Sequence, residues 1–315
     1  MNHIVQQRLE SFRQQRRVHA TSLITTTFGD AVLLRGGRIW LGSLIQLLEP
    51  LQLNERLIRT SVFRLVKDEW LRVQSVGRRS DYLLTQSGRR RFEEASRHIY
   101  ASSAPQWDRR WRVILVVGEL EPKTRDALRE ALFWQGFGAL GSDCFVHPGA
   151  DLTGVLDALI AEGLAQVLPQ LLPLFAADAR LARSASDADL VARAWDLSLL
   201  AQAYGGFIAQ YQPILDVLRS DGLDGISDED AFLLRLLLIH DYRRLLLRDP
   251  ELPEVLLPQE WPGQLARLLC KELYQRLVEP SDRHLDSQVC LADGSRPAVD
   301  LSRWQRFART DPIKV

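Results

Sequence analysis

The sequence predicts an α+β chain of several domains, and three observations carry that prediction. A basic amphipathic helix pattern runs directly into a short basic hairpin pattern between Asn54 and Thr85. A valine-rich apolar run of strand length, Trp111 to Gly118, opens an alternation of strand and helix signals. Beyond about residue 180 the apolar spacing is mainly helical. The 315 residues are enough for two or three domains, each able to bury a core, and an apolar content of 46% is that of a globular chain. The composition breaks at Ser102, Ser103, Ala104 and Pro105. Residues 1–104 are therefore expected to form a winged helix-turn-helix domain with a linker helix, 105–180 a small ferredoxin-like domain, and 181–315 a mainly helical domain.

In chain order, residues 2–20 carry Arg8, Arg13, Arg16 and Arg17 among glutamines. They read as a solvated leader or frayed helix, or as an arm that contacts DNA. The apolar positions from Ser22 to Leu34 predict a first helix, stopped by Gly36 and Gly37. Arg38 to Leu41 has the length of a short strand. A second helix is expected from Ser43, as its cap, to about Leu48, because Pro50 prevents continuation. Asn54 has the side chain to cap a third helix beginning at Glu55 and ending near Trp70. Its period places Leu57, Ile58, Ser61, Val62, Leu65 and Val66 on one side and Arg56, Arg59, Thr60, Phe63, Arg64 and Lys67 on the other. Leu71 to Val76 and Asp81 to Thr85 read as strands joined by Gly77, Arg78, Arg79 and Ser80. A further helix is expected from Ser87 to about Ala101.

The second part continues with a helix from Lys123 to Gln135, strand pieces within Phe137 to His147, a helix from Thr153 to Glu162, and a strand at Leu164 to Leu168. Strand, helix, strands, helix, strand is the order of a ferredoxin-like domain. Pro169 and Pro173 punctuate its exit. Long helices are then expected from Asp187 to Tyr211, from Ser227 to Leu247 behind an acidic first turn, and from Gln264 to Val278. The tail from Pro280 lacks a clear period.

The formal charge of zero hides an asymmetry. Residues 1–104 hold 17 Lys and Arg against 9 Asp and Glu, and the remainder 23 against 31. A basic head faces phosphate more readily than the acidic body does. Three widely spaced cysteines, Cys144, Cys270 and Cys290, suggest neither a disulfide framework nor a zinc site. No apolar run has the length of a membrane span, and the N-terminus lacks a signal peptide's apolar core. A soluble protein of the cytoplasm is expected.

Four basic side chains and Thr60 on the third helix can reach base edges and phosphates of duplex DNA. Phe63 sits among them, where water rewards no aromatic ring; it contacts a thymine methyl or packs on a neighbouring element. Arg78 and Arg79 at the hairpin can enter a minor groove or lie over phosphates, with Asp81 tempering their charge. Gly136, Gly138 and Gly141 spell G-x-G-x-x-G, but they follow a helix and enter a strand, the reverse of a dinucleotide site, and so read as a turn. His240 and Asp241 are adjacent without a serine or cysteine assigned to them, and no catalytic residue is expected. Glu119 and Glu121 read as a solvated strand end rather than metal ligands. Tyr242, Arg243, Arg244 and Arg248, with Trp261, are the candidates for an anionic, partly apolar ligand, with structural ion pairs as the alternative.

Several segments resemble the PaaX-type transcriptional repressors of phenylacetate catabolism. They are T-T-T-F-G-D-A at Thr25 to Ala31, R-T-S-V-F-R-L at Arg59 to Leu65, and W-R-V-I-L-V at Trp111 to Val116. H-D-Y-R-R at His240 to Arg244, R-D-P-E-L-P at Arg248 to Pro253, L-L-P at Leu256 to Pro258 and W-P-G at Trp261 to Gly263 complete the set. The resemblance implies a GntR-like winged-helix domain, a Cas2-like central domain and a helical C-terminal domain. It implies a non-enzymatic homodimer bound to a palindromic operator in double-stranded DNA and released by phenylacetyl-CoA, with no resident cofactor or metal. The Cas2 likeness raises an alternative, a metal-dependent nuclease or RNA-processing protein, yet Gly118 and Glu119 stand where the strand-end aspartate would be. A repressor answering another acyl-CoA is a further alternative.

Overall fold

The computed structural model describes residues 3–15, 19–177, 184–300 and 306–307. It shows α+β architecture with two small sheets and two compact units. The first comprises Met1–Ser102, Gly206–Arg244 and Leu265–Val315, and the second Ser103–Gly205 and Leu245–Gln264. Arg16 and Arg17 lie outside the described residues.

The first unit begins with α1 (His3–Arg13), whose Val5, Leu9 and Phe12 recur on one side and are buried. That apolar stripe corrects the reading of this stretch as a solvated leader or free arm, since Arg8 is buried with it. Helix α2 (Ala20–Thr27) passes into a π-helical turn at Phe28–Val32 and a 3-10 turn at Leu33–Arg35. Thr25, Thr26 and Thr27 each return a side-chain hydrogen bond to the carbonyl four residues back, a pattern that loosens a helix. The helix expected through Leu34 therefore changes winding rather than continuing as α-helix. Gly36 and Gly37, at φ 74° and 70°, end it.

Strand β1 (Arg38–Trp40) leads into α3 (Leu41–Leu48). Ser43 lies inside α3 and is no cap; its hydroxyl accepts from the Cys290 backbone N–H at 3.1 Å. Helix α4 (Glu55–Lys67) precedes β2 (Leu71–Val76) and β3 (Arg79–Leu84), which form an antiparallel sheet in the order β1-β3-β2. Helix α5 (Gln86–Ile99) is capped by Thr85, which accepts from Gly88 N at 2.9 Å. A side chain at Gly88 would collide with the Trp70 carbonyl, so the residue fixes that close approach.

The second unit carries β4 (Arg110–Val116), α6 (Pro122–Trp134), β5 (Gly138–Ala139), β6 (Cys144–His147), α7 (Leu152–Ala161), β7 (Leu171–Ala177) and α8 (Asp187–Ala194). Its sheet has the order β5-β6-β4-β7 with every pair antiparallel. Period-two alternation along β4 sends Ile114 to one face, with Phe145, Leu128, Leu132 and Val155, and Trp111 to the other, with Val146, Val191 and Trp195. The strand expected at Leu164 to Leu168 is corrected: Ala165–Gln170 is a 3-10 turn, and the strand is β7. Pro173 sits within that edge strand, where the absence of a backbone N–H donor is tolerated.

The remaining helices are α9 (Ser198–Ser220), α10 (Asp228–Leu246) and α11 (Pro262–Gln288). The helix expected across Asp187 to Tyr211 is broken into α8 and α9, and α11 runs ten residues beyond the expected Val278 with Pro280 inside it. Every residue of α10 from Ala231 to His240 is buried in the first unit, including Arg235. Arg235 Nε donates to Asp30 at 2.9 Å, Arg306 Nη1 to the same carboxylate at 2.8 Å, and the Tyr100 hydroxyl at 2.7 Å. Buried charges persist when paired and hydrogen-bonded in this way.

Candidate nucleic-acid interface

Asn54 caps α4 by accepting from Leu57 N at 2.8 Å. Ile58, Ser61, Val62 and Leu65 then face the core, leaving Arg56, Arg59, Thr60, Phe63, Arg64 and Lys67 exposed. Leu57, expected on the buried side, lies at its margin and is 36% exposed. Arg59 is held by Glu55, whose carboxylate accepts from Nε at 2.7 Å, and Thr60 spends its hydroxyl proton on the Arg56 carbonyl at 2.8 Å. Phe63 is 68% exposed, so among the described residues no neighbouring element covers it.

The hairpin turn is tighter than the sequence suggests. Val76 pairs with Arg79 and Ser75 with Ser80, so only Gly77 and Arg78 form the turn, with Gly77 at φ 60°. Arg78 is exposed at the tip; Arg79, also exposed, lies on β3 with its guanidinium over the Trp40 ring at 4.6 Å. Asp81 does not temper these arginines. It is fully buried, accepting from Arg38 Nε at 2.8 Å and from Ala292 N at 2.7 Å. Arg72, also exposed, lies on β2 outside the turn, and its signal in the sequence is the alternation along that strand.

The five candidate ligand residues are divided between the units. In the first, Tyr242 is buried with its ring 5.7 Å from Phe207, and Arg243 donates to Ser22 Oγ at 2.7 Å and to Thr26 Oγ1 at 3.2 Å, while Arg244 is exposed. In the second, Trp261 meets Tyr204 edge-on at 5.8 Å, and exposed Arg248 lines a cavity of about 560 Å³ with Phe133, Phe137, Phe145 and Trp195. His240 and Asp241 turn to different partners. His240 Nδ1 lies 3.1 Å from Thr26 Oγ1, and burial pushes the imidazole down to about 4. Asp241 accepts from Arg8 at 2.7 Å and from the Tyr211 hydroxyl at 2.8 Å. Gly136 follows α6 and Gly138 opens β5, so the glycine triplet forms a helix-to-strand turn. Among the described residues no group of three or more His, Cys, Asp or Glu is placed to hold a metal ion, and no helix is long and apolar enough to cross a membrane.

Residues 19–88 match the family described as PaaX-like protein, residues 104–181 the PaaX protein central Cas2-like domain, and residues 195–287 the PaaX-like protein C-terminal domain. The chain is 39% identical over 293 residues to the transcriptional repressor PaaX of Escherichia coli strain K12, covering 92% of this chain and 90% of that one. The chain belongs to the PaaX family. That relative is described as a transcriptional repressor. The basic face of α4 and the hairpin lie inside the first PaaX-matched region. Among solved structures, the uncharacterized protein Rv0674 from Mycobacterium tuberculosis is similar with a TM-score of 0.49 and 23% identity, over 77% of this chain and 89% of that one.

Proposed function

We propose that this protein is a transcriptional repressor of phenylacetate catabolic genes, acting in the cytoplasm as a homodimer on a palindromic operator and released by phenylacetyl-CoA. The observation that carries the DNA-binding part is the exposed face of α4, where Arg56, Arg59, Arg64 and Lys67 surround an uncovered Phe63. In this reading residues 1–104 are a GntR-like winged helix-turn-helix. Helix α4 lies in the major groove, where bidentate arginines discriminate bases by roughly 1–3 kcal/mol each. The β2-β3 hairpin is the wing, with Arg78 and Arg79 on phosphates or in the minor groove. The strand order β5-β6-β4-β7, antiparallel throughout, supports a ferredoxin-like central domain over 105–180, and residues 181–315 form the helical third part.

Release requires that the effector bind the DNA-incompetent state more tightly than the competent one. A gel shift of promoter DNA from aromatic-catabolic genes, with phenylacetyl-CoA, other acyl-CoA thioesters and free phenylacetate as competitors, tests the reading. Retardation abolished by Arg59→Ala with Arg64→Ala, and relieved by phenylacetyl-CoA but not phenylacetate, is the expected result. Relief by a different thioester alone would replace the effector; no retardation at low salt would end the operator reading.

A further inference from the structure

We propose that the cavity of the second unit is the effector's acyl site, taking the aromatic acyl group of a CoA thioester with the anionic carrier lying across Arg129 and Arg248. The assignment rests on the repressor reading above. It begins from an apolar floor and an apolar rim. Phe137, Phe145, Trp195 and Leu200 are buried beneath the cavity, whereas Phe133 and Leu199 at its mouth are 60% and 70% exposed. Large apolar side chains left in water around a concavity mark a surface that a ligand covers. The volume of about 560 Å³ lies within the range of roughly 300–1,000 Å³ usual for small-molecule sites.

The charges narrow the ligand class. Arg129 and Arg248 line the same cavity, both exposed, and among the described residues neither forms an ion pair. Guanidinium groups without a carboxylate partner are available to phosphate or carboxylate. Asp126, Glu130 and Asp196 also line the cavity, and Asp196 is engaged at the start of α9, accepting from Ser198 N at 3.0 Å. Three carboxylates against two guanidiniums disfavour an anion held deep in the cavity. They suit a ligand whose buried end is uncharged and aromatic and whose charged end stays at the arginine side of the mouth. An aryl thioester has that distribution of charge; the free acid places its carboxylate within two bonds or so of the ring and would carry it inward.

The floor is held in place by its own bonds. Trp195 Nε1 donates to the Gly136 carbonyl at 3.1 Å, and its ring stacks on Trp111 at 6.3 Å. A side chain at Gly138 would run into Trp195 and Ala194, so the short strand β5 can pass beneath the site only with glycine there. Aromatic walls fixed in this way preorganise a slot for a planar group.

Isothermal titration of the full chain with phenylacetyl-CoA, CoA and phenylacetate tests the assignment, with Phe133→Ala, Leu199→Glu and Arg248→Gln as variants. The first two residues are exposed, so their replacement does not threaten the core, and the operator complex of each variant reports its fold. We expect the thioester to bind more tightly than either CoA or phenylacetate. Each variant should weaken it by roughly tenfold, the size of one lost charge-assisted or apolar anchor. Thioester affinity unchanged in all three variants, with operator release intact, would move the site elsewhere and leave the repressor reading standing. If the wild-type chain retards operator DNA but takes up no thioester, the effector reading and this site fall together.

Discussion

Arg8 Nη2 lies 2.7 Å from Asp241 Oδ2, and the Tyr211 hydroxyl reaches the same oxygen at 2.8 Å. The contact joins the first helix of the chain to the H-D-Y-R-R segment of α10 within one unit. A side chain that sequence alone offers to water or to DNA is thus a core cation.

Replacing it by an apolar side chain of similar length, Arg8→Met, should destabilise the protein. Asp241 would keep Tyr211 and Gln210 as donors and is 25% exposed, so solvent would soften the loss. The expected cost is roughly 1–3 kcal/mol, read as a lower denaturant midpoint at unchanged slope. Operator affinity measured well below the midpoint should hold, because Arg8 does not contact DNA in the proposed docking.

Acid should weaken the fold above the range in which carboxylates titrate. Burial pushes both His240 and His147 down to about 4, with Arg112 adding to the effect at His147. In the unfolded chain each imidazole protonates near its ordinary value of 6.5. Between those limits the unfolded state binds the proton and the folded state does not, so the stability is present above about 6.5 and is lost as pH falls towards 4. The slope is on the order of 1.4 kcal/mol per pH unit for each such group. Urea midpoints at pH 7.5 and pH 5 read this loss, and His240→Gln should make the difference smaller. Asp30 adds a second phase below its ordinary carboxyl value: burial opposes its ionisation, but Arg235 and Arg306 outweigh that and hold it ionised.

Phe63→Ala should leave thermal stability within about 0.5 kcal/mol of the parent, as befits an exposed side chain. It should lower operator affinity by roughly 1–3 kcal/mol, the scale of a lost base contact. Fluorescence anisotropy with labelled operator separates the two effects. Equal affinity in parent and variant would place the ring outside the interface.

Arg78→Ala removes one cation from the tip of the hairpin. If Arg78 neutralises a phosphate, the slope of log affinity against log salt should become shallower by roughly 0.9, with similar loss on specific and unrelated DNA. Arg79→Ala should lose more than charge, since the Arg79 guanidinium also rests on Trp40.

Helix α4 and its hairpin were legible because each obeys a single local period and has a marked start: Asn54 as cap, Gly77 in the turn. Strand β7 was not, because Pro173 reads as a terminator and becomes acceptable only once the strand is known to lie at the sheet edge. The end of α11 was hidden for a related reason, Pro280 standing inside a buried helix. Charge was the least legible quantity. Arg8, Arg35 and Arg38 add to the basic count of the N-terminal part, yet each is paired internally, with Asp241, with Asp282 and Asp286, and with Asp81. Nor does the acidic remainder form one body, since Asp241, Asp282 and Asp286 belong to the first unit. Counted by unit, the first holds 30 Lys and Arg against 23 Asp and Glu, and the second 10 against 17. The asymmetry survives, but its members change. The aromatic cavity was legible only as scattered phenylalanines, because residues from 126 to 250 meet in it.

The burial of Asp30 against Arg235 and Arg306 has a consequence for synthesis. As the chain leaves the ribosome, the N-terminal part emerges with a carboxylate whose two cationic partners are encoded more than 200 residues later. Until they arrive, that acid has no reason to leave water, and the helices around it lack their lid. A prematurely terminated polypeptide would therefore carry α4 and the hairpin in sequence without holding them in place, so a truncated product should be cleared by proteases rather than linger as a deregulated binder of DNA.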